Sequence, residues 1–405
     1  MTPVAPSPAL ASAQGFTPAP LAVPPSKRAS GPWLVNPVWD GTWMLGALWL
    51  VPLVLLLARG YRDPEKSPVD ALYFGLTILF WISHRIGSTW LAYGTTAYRP
   101  LVRSNPIRFV VAPLLVTGAC FAIFLPADHV LPWTRAERLV GLAILDYAMV
   151  TYHFAAQHFG VMCLYRVRGG QVASVTTRRL DRWFALGIGG VLVFFAEIVA
   201  GTVTWQRLWV DPWIAPGWVE AAQPGLRAAG TAVLALSTLV LLAREARRGA
   251  RSLPRALYVI SVAAMVALAL HASSPFLFIT VWSAQHWMLA VGLTMRVARA
   301  EPEATASLGS RWAHAINRRP WALLLALAAL SVLATPLFEV EANRDEGTYY
   351  GDRIFGAFAT GLRTSSWVPA LVALGFATAF VHYLLDRAVY RFSDPKVREA
   401  ARGVL

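Results

Sequence analysis

Residues 139–164 read LVGLAILDYAMVTYHFAAQHFGVMCL, an apolar run interrupted by Asp146, His153, Gln157 and His158. It is long enough to cross a hydrocarbon core about 30 Å thick, which takes roughly twenty residues of α-helix. Ionisable groups at that depth are costly and face the interior of a bundle, where they mark a pathway or a site. Helical phase sorts them. Asp146 and His153 are seven residues apart and share a face, Gln157 continues the stripe one turn on, and His158 points about 140° away from His153.

The rest of the chain has the same character. Of its 405 residues 56% are hydrophobic and 14% charged, against about 25% charged in soluble domains. Mean hydropathy is +0.50. The expected fold is an all-α, polytopic membrane helix bundle. About ten spans are expected, near 41–59, 69–93, 107–126, 139–164, 183–203, 225–243, 255–274, 278–297, 320–338 and 366–386. Residues 1–30 are rich in Pro, Ala and Ser and lack the basic start and apolar run of a signal peptide. They read as a disordered tail, followed by the bundle over 31–392 and a cytoplasmic tail over 393–405.

The net charge of +14 does not imply nucleic acid. Arginines concentrate in alternate loops, as at Arg99, Arg103 and Arg108, at Arg166, Arg168, Arg178, Arg179 and Arg182, and at Arg244, Arg247, Arg248, Arg251 and Arg255. The intervening loops, 204–223 and 339–365 among them, are less basic. Under the positive-inside rule this alternation puts both termini in the cytoplasm of a bacterium, with the protein in its inner (plasma) membrane. Basic loops of this kind contact anionic head groups, so membrane lipids are the expected partners. Trp205, Trp209, Trp213, Trp218, Tyr349 and Tyr350 read as an interfacial belt, and 204–223 as a short amphipathic lid. Cys120 and Cys163 both fall in apolar helices, which argues for packing and against disulfides or a thiolate metal site.

Four further histidines lie in apolar segments: His84, His271, His286 and His382. The topology places His84, His153, His158, His286 and His382 in the cytoplasmic half of the bilayer, and His271 near the outer end of its span. His382 and Asp386 are one turn apart on a single face. Several imidazoles and a carboxylate from separate helices suit a metal, and that donor set favours non-haem iron or zinc. The expected ligands are His84, His153, His286, His382 and Asp386. Gln157, His158, Asp146 and Arg85 are the expected supporting or catalytic groups, because carboxylates beside a site commonly orient a histidine ligand. Arg85 calls for an anion, either Asp386 or a lipid head group. His271 fits the set poorly.

The order His153-Phe-Ala-Ala-Gln157-His-Phe-Gly160 and the C-terminal His382-Tyr-Leu-Leu-Asp386-Arg, followed by Tyr390-Arg391-Phe392, resemble a broad group of uncharacterised bacterial multi-pass membrane proteins. In overall plan the chain also looks like the membrane carotene dioxygenases of the Brp/Blh type. There, histidines on separate helices hold iron, although their pattern does not map onto this chain residue by residue. It departs from membrane fatty-acid desaturases, whose H-x-x-H-H boxes do not occur. No zinc-protease, P-loop, nucleophile-elbow or dinucleotide motif occurs either.

The expected activity is that of a membrane metalloenzyme acting on a lipophilic small molecule. Iron would serve oxidation of a lipid, isoprenoid or carotenoid; zinc would serve hydrolysis. The alternatives are a proton-coupled transporter using the intramembrane His and Asp residues with Glu197, and a b-type haem protein.

Overall fold

The apolar stretches fold as helices in a computed structural model that describes residues 31–171, 174–193, 216–272, 274–299, 308–339 and 350–401. Among the described residues there is no strand. Among the described residues seven helices are long and apolar enough to cross a membrane, or eight if a pair bent by 56°, Pro37–Met44 and Ala47–Ala58, forms one span. In chain order, α1 is Ala47–Ala58 and α2 runs over 68–94. Then come α3 (Ile107–Phe124), α4 (Arg135–Arg168) and α5 (175–192). The remainder are α6 (Ala221–Ala246), α7 (Ala250–His271), α8 (Phe276–Ala298), α9 (Pro320–Phe338) and α10 (Val368–Val389). α2, which carries Ser83, His84, Arg85 and Ser88, and α5 fall outside the seven. The expected tail over 1–30, residues 204–215 of the expected lid over 204–223, and Glu197 lie outside the described residues.

Local chemistry sets the ends. α4 starts on a capping box, with Thr134 and Glu137 each bonding the other's backbone N–H. Pro254, Pro320 and Pro369 occupy the first turns of α7, α9 and α10, where their missing N–H costs nothing. The C-terminal segment folds back. A short helix, Pro395–Ala400, follows α10, and its Val397 joins the main hydrophobic core.

α8 is the most enclosed of the apolar helices. Small residues let its neighbours approach: a Cβ at Gly87 of α2 would lie 2.7 Å from Thr294 Oγ1, and one at Gly292 2.7 Å from Trp43 Cβ. α8 also repairs the break before α1. Gln285 Nε2 donates to the Met44 carbonyl and Gln285 Oε1 accepts from the Ala47 N–H, both at 2.7 Å. The bend frees those two groups, and a buried backbone group without a partner is strongly disfavoured.

A comparable repair occurs in α2. Residues Thr77–Trp81 are π-helical, and the Ile82 N–H donates to Ser331 Oγ of α9 at 3.2 Å. π turns recur at functional sites because they re-aim the side chains that follow; here His84 and Arg85 come next.

The ends of α4, α5, α6 and α7 are tied by buried ions. Asp181 pairs with Arg166 and with Arg255, the latter at 2.5 Å, and Glu245 pairs with Arg255 and, at 3.0 Å, with Arg248. Arg166 and Arg255, read from sequence as part of the head-group-facing loops, are only 3% and 1% exposed. Their charge is spent on holding four helices together.

Replacing Gln285 with leucine strands one buried N–H and one buried carbonyl. The expected loss is about 2–5 kcal/mol of stability, read as a clear fall in thermal midpoint of the detergent-solubilised protein. A variant as stable as the native chain would show that the bend finds other partners.

Candidate metal centre

Four helices each contribute one imidazole to one cluster: His84 from α2, His153 from α4, His286 from α8 and His382 from α10. None is more than 9% exposed. Taken in the order His84, His286, His153, His382 and back to His84, neighbouring ring centroids are 4.9, 5.0, 5.0 and 4.7 Å apart. Across the ring, His286 and His382 are separated by 6.3 Å.

These distances can be compared with coordination geometry. An imidazole bound at about 2.1 Å places its centroid about 3.2 Å from the metal, so rings at right angles lie about 4.5 Å apart, tetrahedral neighbours about 5.2 Å and opposite rings about 6.4 Å. Four short sides with a long diagonal describe a flattened ring, not a tetrahedron. Flattened nitrogen sets suit copper or nickel better than a closed structural zinc site, and a carboxylate beside the histidines suits non-haem iron.

Edge-to-face aromatic packing alone produces similar centroid separations, so the nitrogens decide. His84 Nδ1 and the Nε2 atoms of His153, His286 and His382 are buried with no hydrogen-bond partner. Within His84, His286 and His382, one ligand atom from each lies within 4.8 Å of the others, and the same holds for His153, His382 and Asp386. Each unpaired buried nitrogen costs about 1–3 kcal/mol. One cation could take lone pairs from His84, His286 and His382, or from His153 and His382 with Asp386.

The outer nitrogens are held. His286 Nδ1 lies 2.6 Å from Gln157 Oε1. A carboxamide oxygen only accepts, so Nδ1 carries the proton and Nε2 the lone pair. His382 Nδ1 lies 3.2 Å from Ser88 Oγ and 3.3 Å from Asp386 Oδ1. The other oxygen of Asp386 is 3.5 Å from His153 Nε2. Asp386 therefore sits where it can brace His382 or join His153 on the same ion. Such bracing fixes ring orientation and raises ligand basicity.

The remaining residues divide. Asp146 and Arg85 line a cavity of about 200 Å³ that also reaches His84, His286 and His382. Asp146 accepts a hydrogen bond from Tyr383 at 3.0 Å. Arg85, for which sequence suggested Asp386 or a lipid head group, donates to the Gly375 carbonyl at 3.4 Å and lies 5.0 Å over the Trp81 ring. His158 turns away from the ring, its Nδ1 meeting the Tyr258 hydroxyl of α7 at 2.6 Å. His271 bonds Thr231 of α6 at 2.8 Å and is not in either ligand group. Neither cysteine is in them. Sequence reasoning missed Ser88, although it lies one turn beyond His84 on the same face, and Tyr383, which follows His382 directly.

No family model, curated protein or solved structure matches this chain.

Leucine at Gln157 removes the acceptor that fixes His286. In a cobalt(II) titration of chelator-stripped protein, affinity is expected to fall 10–100-fold. Tyr258→Phe, which removes the hydroxyl that bonds His158 outside the ring, is expected to leave it within a factor of three. Equal effects of the two changes would show that Gln157 acts only through packing.

Proposed function

We propose that this chain is an integral membrane metalloenzyme whose ion is held by His84, His153, His286 and His382, with Asp386 beside them, and whose substrate is a lipophilic molecule drawn from the bilayer. The observation that carries this reading is the flattened ring of four buried imidazoles with unpartnered nitrogens. The reading includes about ten spans, both termini in the cytoplasm and residence in a bacterial inner membrane. That topology rests on the charge alternation of the loops.

Bound iron would supply oxidative chemistry and bound zinc hydrolysis; Asp386 beside the imidazoles favours iron. The chain's own residues do the rest. Gln157, Ser88 and Asp386 fix which imidazole nitrogen is free. Phe154, stacked on His286 with centroids 3.8 Å apart, and Trp287, stacked on His84 at 6.0 Å, cover the ring and exclude water. Arg85, Asp146 and Tyr383 supply donors and an acceptor to whatever occupies the cavity. Oxidation of an isoprenoid is also what the resemblance to membrane carotene dioxygenases implies.

The imidazoles also argue against b-type haem. They stand edge to face at 4.7–5.0 Å, which leaves no slot for a macrocycle between any two neighbours. A proton carrier needs polar groups across the whole depth of the membrane, whereas these converge at one point.

Elemental analysis of the detergent-purified protein tests the proposal. About one iron per chain is expected, falling more than tenfold in His84→Ala and His382→Ala and retained in His271→Ala. A metal-free native protein, or one indifferent to the first two changes, would overturn it.

A further inference from the structure

Arg85 lines a second cavity. Its volume is about 260 Å³, and its walls include Ile82, Ile86, Leu374, Thr378 and Val381, with Thr117 of α3 and Phe338 of α9 closing the far side. It faces outward: Thr89 on its rim is exposed, and Leu114, one turn before Thr117, is 66% exposed. In a bilayer that side meets hydrocarbon, so an aliphatic groove there accepts a lipid chain sideways.

The two cavities differ in chemistry. The groove offers aliphatic side chains and threonines. The cavity at the histidines is walled by aromatic rings, among them Trp81, Phe154, Trp282, Trp287 and Tyr383. Aromatic walls favour a flat conjugated guest, which stacks on them offset or edge to face. Arg85 and Asp146 line the same cavity, so cationic and anionic side chains balance and a carboxylate head gains no net attraction. A neutral ring can accept from Arg85 through its oxygens, and in the quinol form its hydroxyls can also donate to Asp146. Room is adequate, since a cavity of about 150 Å³ holds a benzene ring and this one measures about 200 Å³.

We infer that the site takes a lipid of the quinone or quinol class, its conjugated ring beside the histidines and its single isoprenoid or alkyl chain leaving past Arg85 into the groove between α2, α3, α9 and α10. This rests on the reading of the histidine cavity as the reaction site. Arg85 stands at the junction and contacts the substrate where ring and chain meet.

The test uses the full-length protein in detergent, with and without metal, and two probes: a decyl-substituted benzoquinone and tetramethylbenzoquinone, which has no chain. The decyl probe is expected to bind saturably. Leu374→Trp and Thr378→Trp, which fill the groove, are expected to weaken it at least tenfold while changing binding of the chainless probe less than threefold. Metal content of both variants should match the native protein, which shows that they fold. Unchanged decyl-probe affinity in correctly folded variants would overturn the inference. So would saturable binding of a conjugated fatty acid, cis-parinarate, in place of the quinone. A native protein that binds the decyl probe but no metal would sink the metalloenzyme reading and leave the groove assignment standing.

Discussion

Four buried imidazoles packed edge to face inside the bundle are the arrangement on which the proposed site depends. Each nitrogen left unpaired costs about 1–3 kcal/mol; that of His153 also has Asp386 at 3.5 Å. Packing alone gives no reason to gather four such groups at one point from four helices. A bound cation would turn that penalty into binding energy. The same ion would cross-link α2, α4, α8 and α10, so metal binding and the integrity of the bundle should be coupled.

Other features of the fold serve that convergence. Gln285 closes the hydrogen bonds opened by the bend before α1, and its neighbour His286 enters the ring from a helix thereby fixed in place. The π turn at Thr77–Trp81 precedes His84, and Ser331 takes up the N–H of Ile82 at its end. At one end of the bundle, the ion pairs around Asp181 and Glu245 hold α4 to α7.

Much of this arrangement could be read from the sequence, and the rest could not for identifiable reasons. The apolar runs around α3, α4 and α6 to α10 stand out by composition, because spanning a bilayer demands about twenty apolar residues whatever the packing. Phase along α4 separates His153 from His158, and the structure sends the first into the ring and the second to Tyr258. α2 is less legible. Its polar residues lower its apolar character because it carries the site, and its π turn has no sequence signature. The partners of Gln157, Gln285 and Arg166 lie on other helices. Such pairings follow from how the helices pack, which periodicity along one segment does not encode. The basic loops carry a similar ambiguity: an arginine facing lipid and one buried against Asp181 look alike in sequence.

X-ray absorption at the edge of the bound metal in the purified protein tests the central claim most directly. Four imidazoles around one ion predict a shell of nitrogen or oxygen at about 2.0–2.2 Å, with strong outer-shell scattering from about four histidine rings. A bound metal with one imidazole or none, or with sulfur at about 2.3 Å, would contradict it.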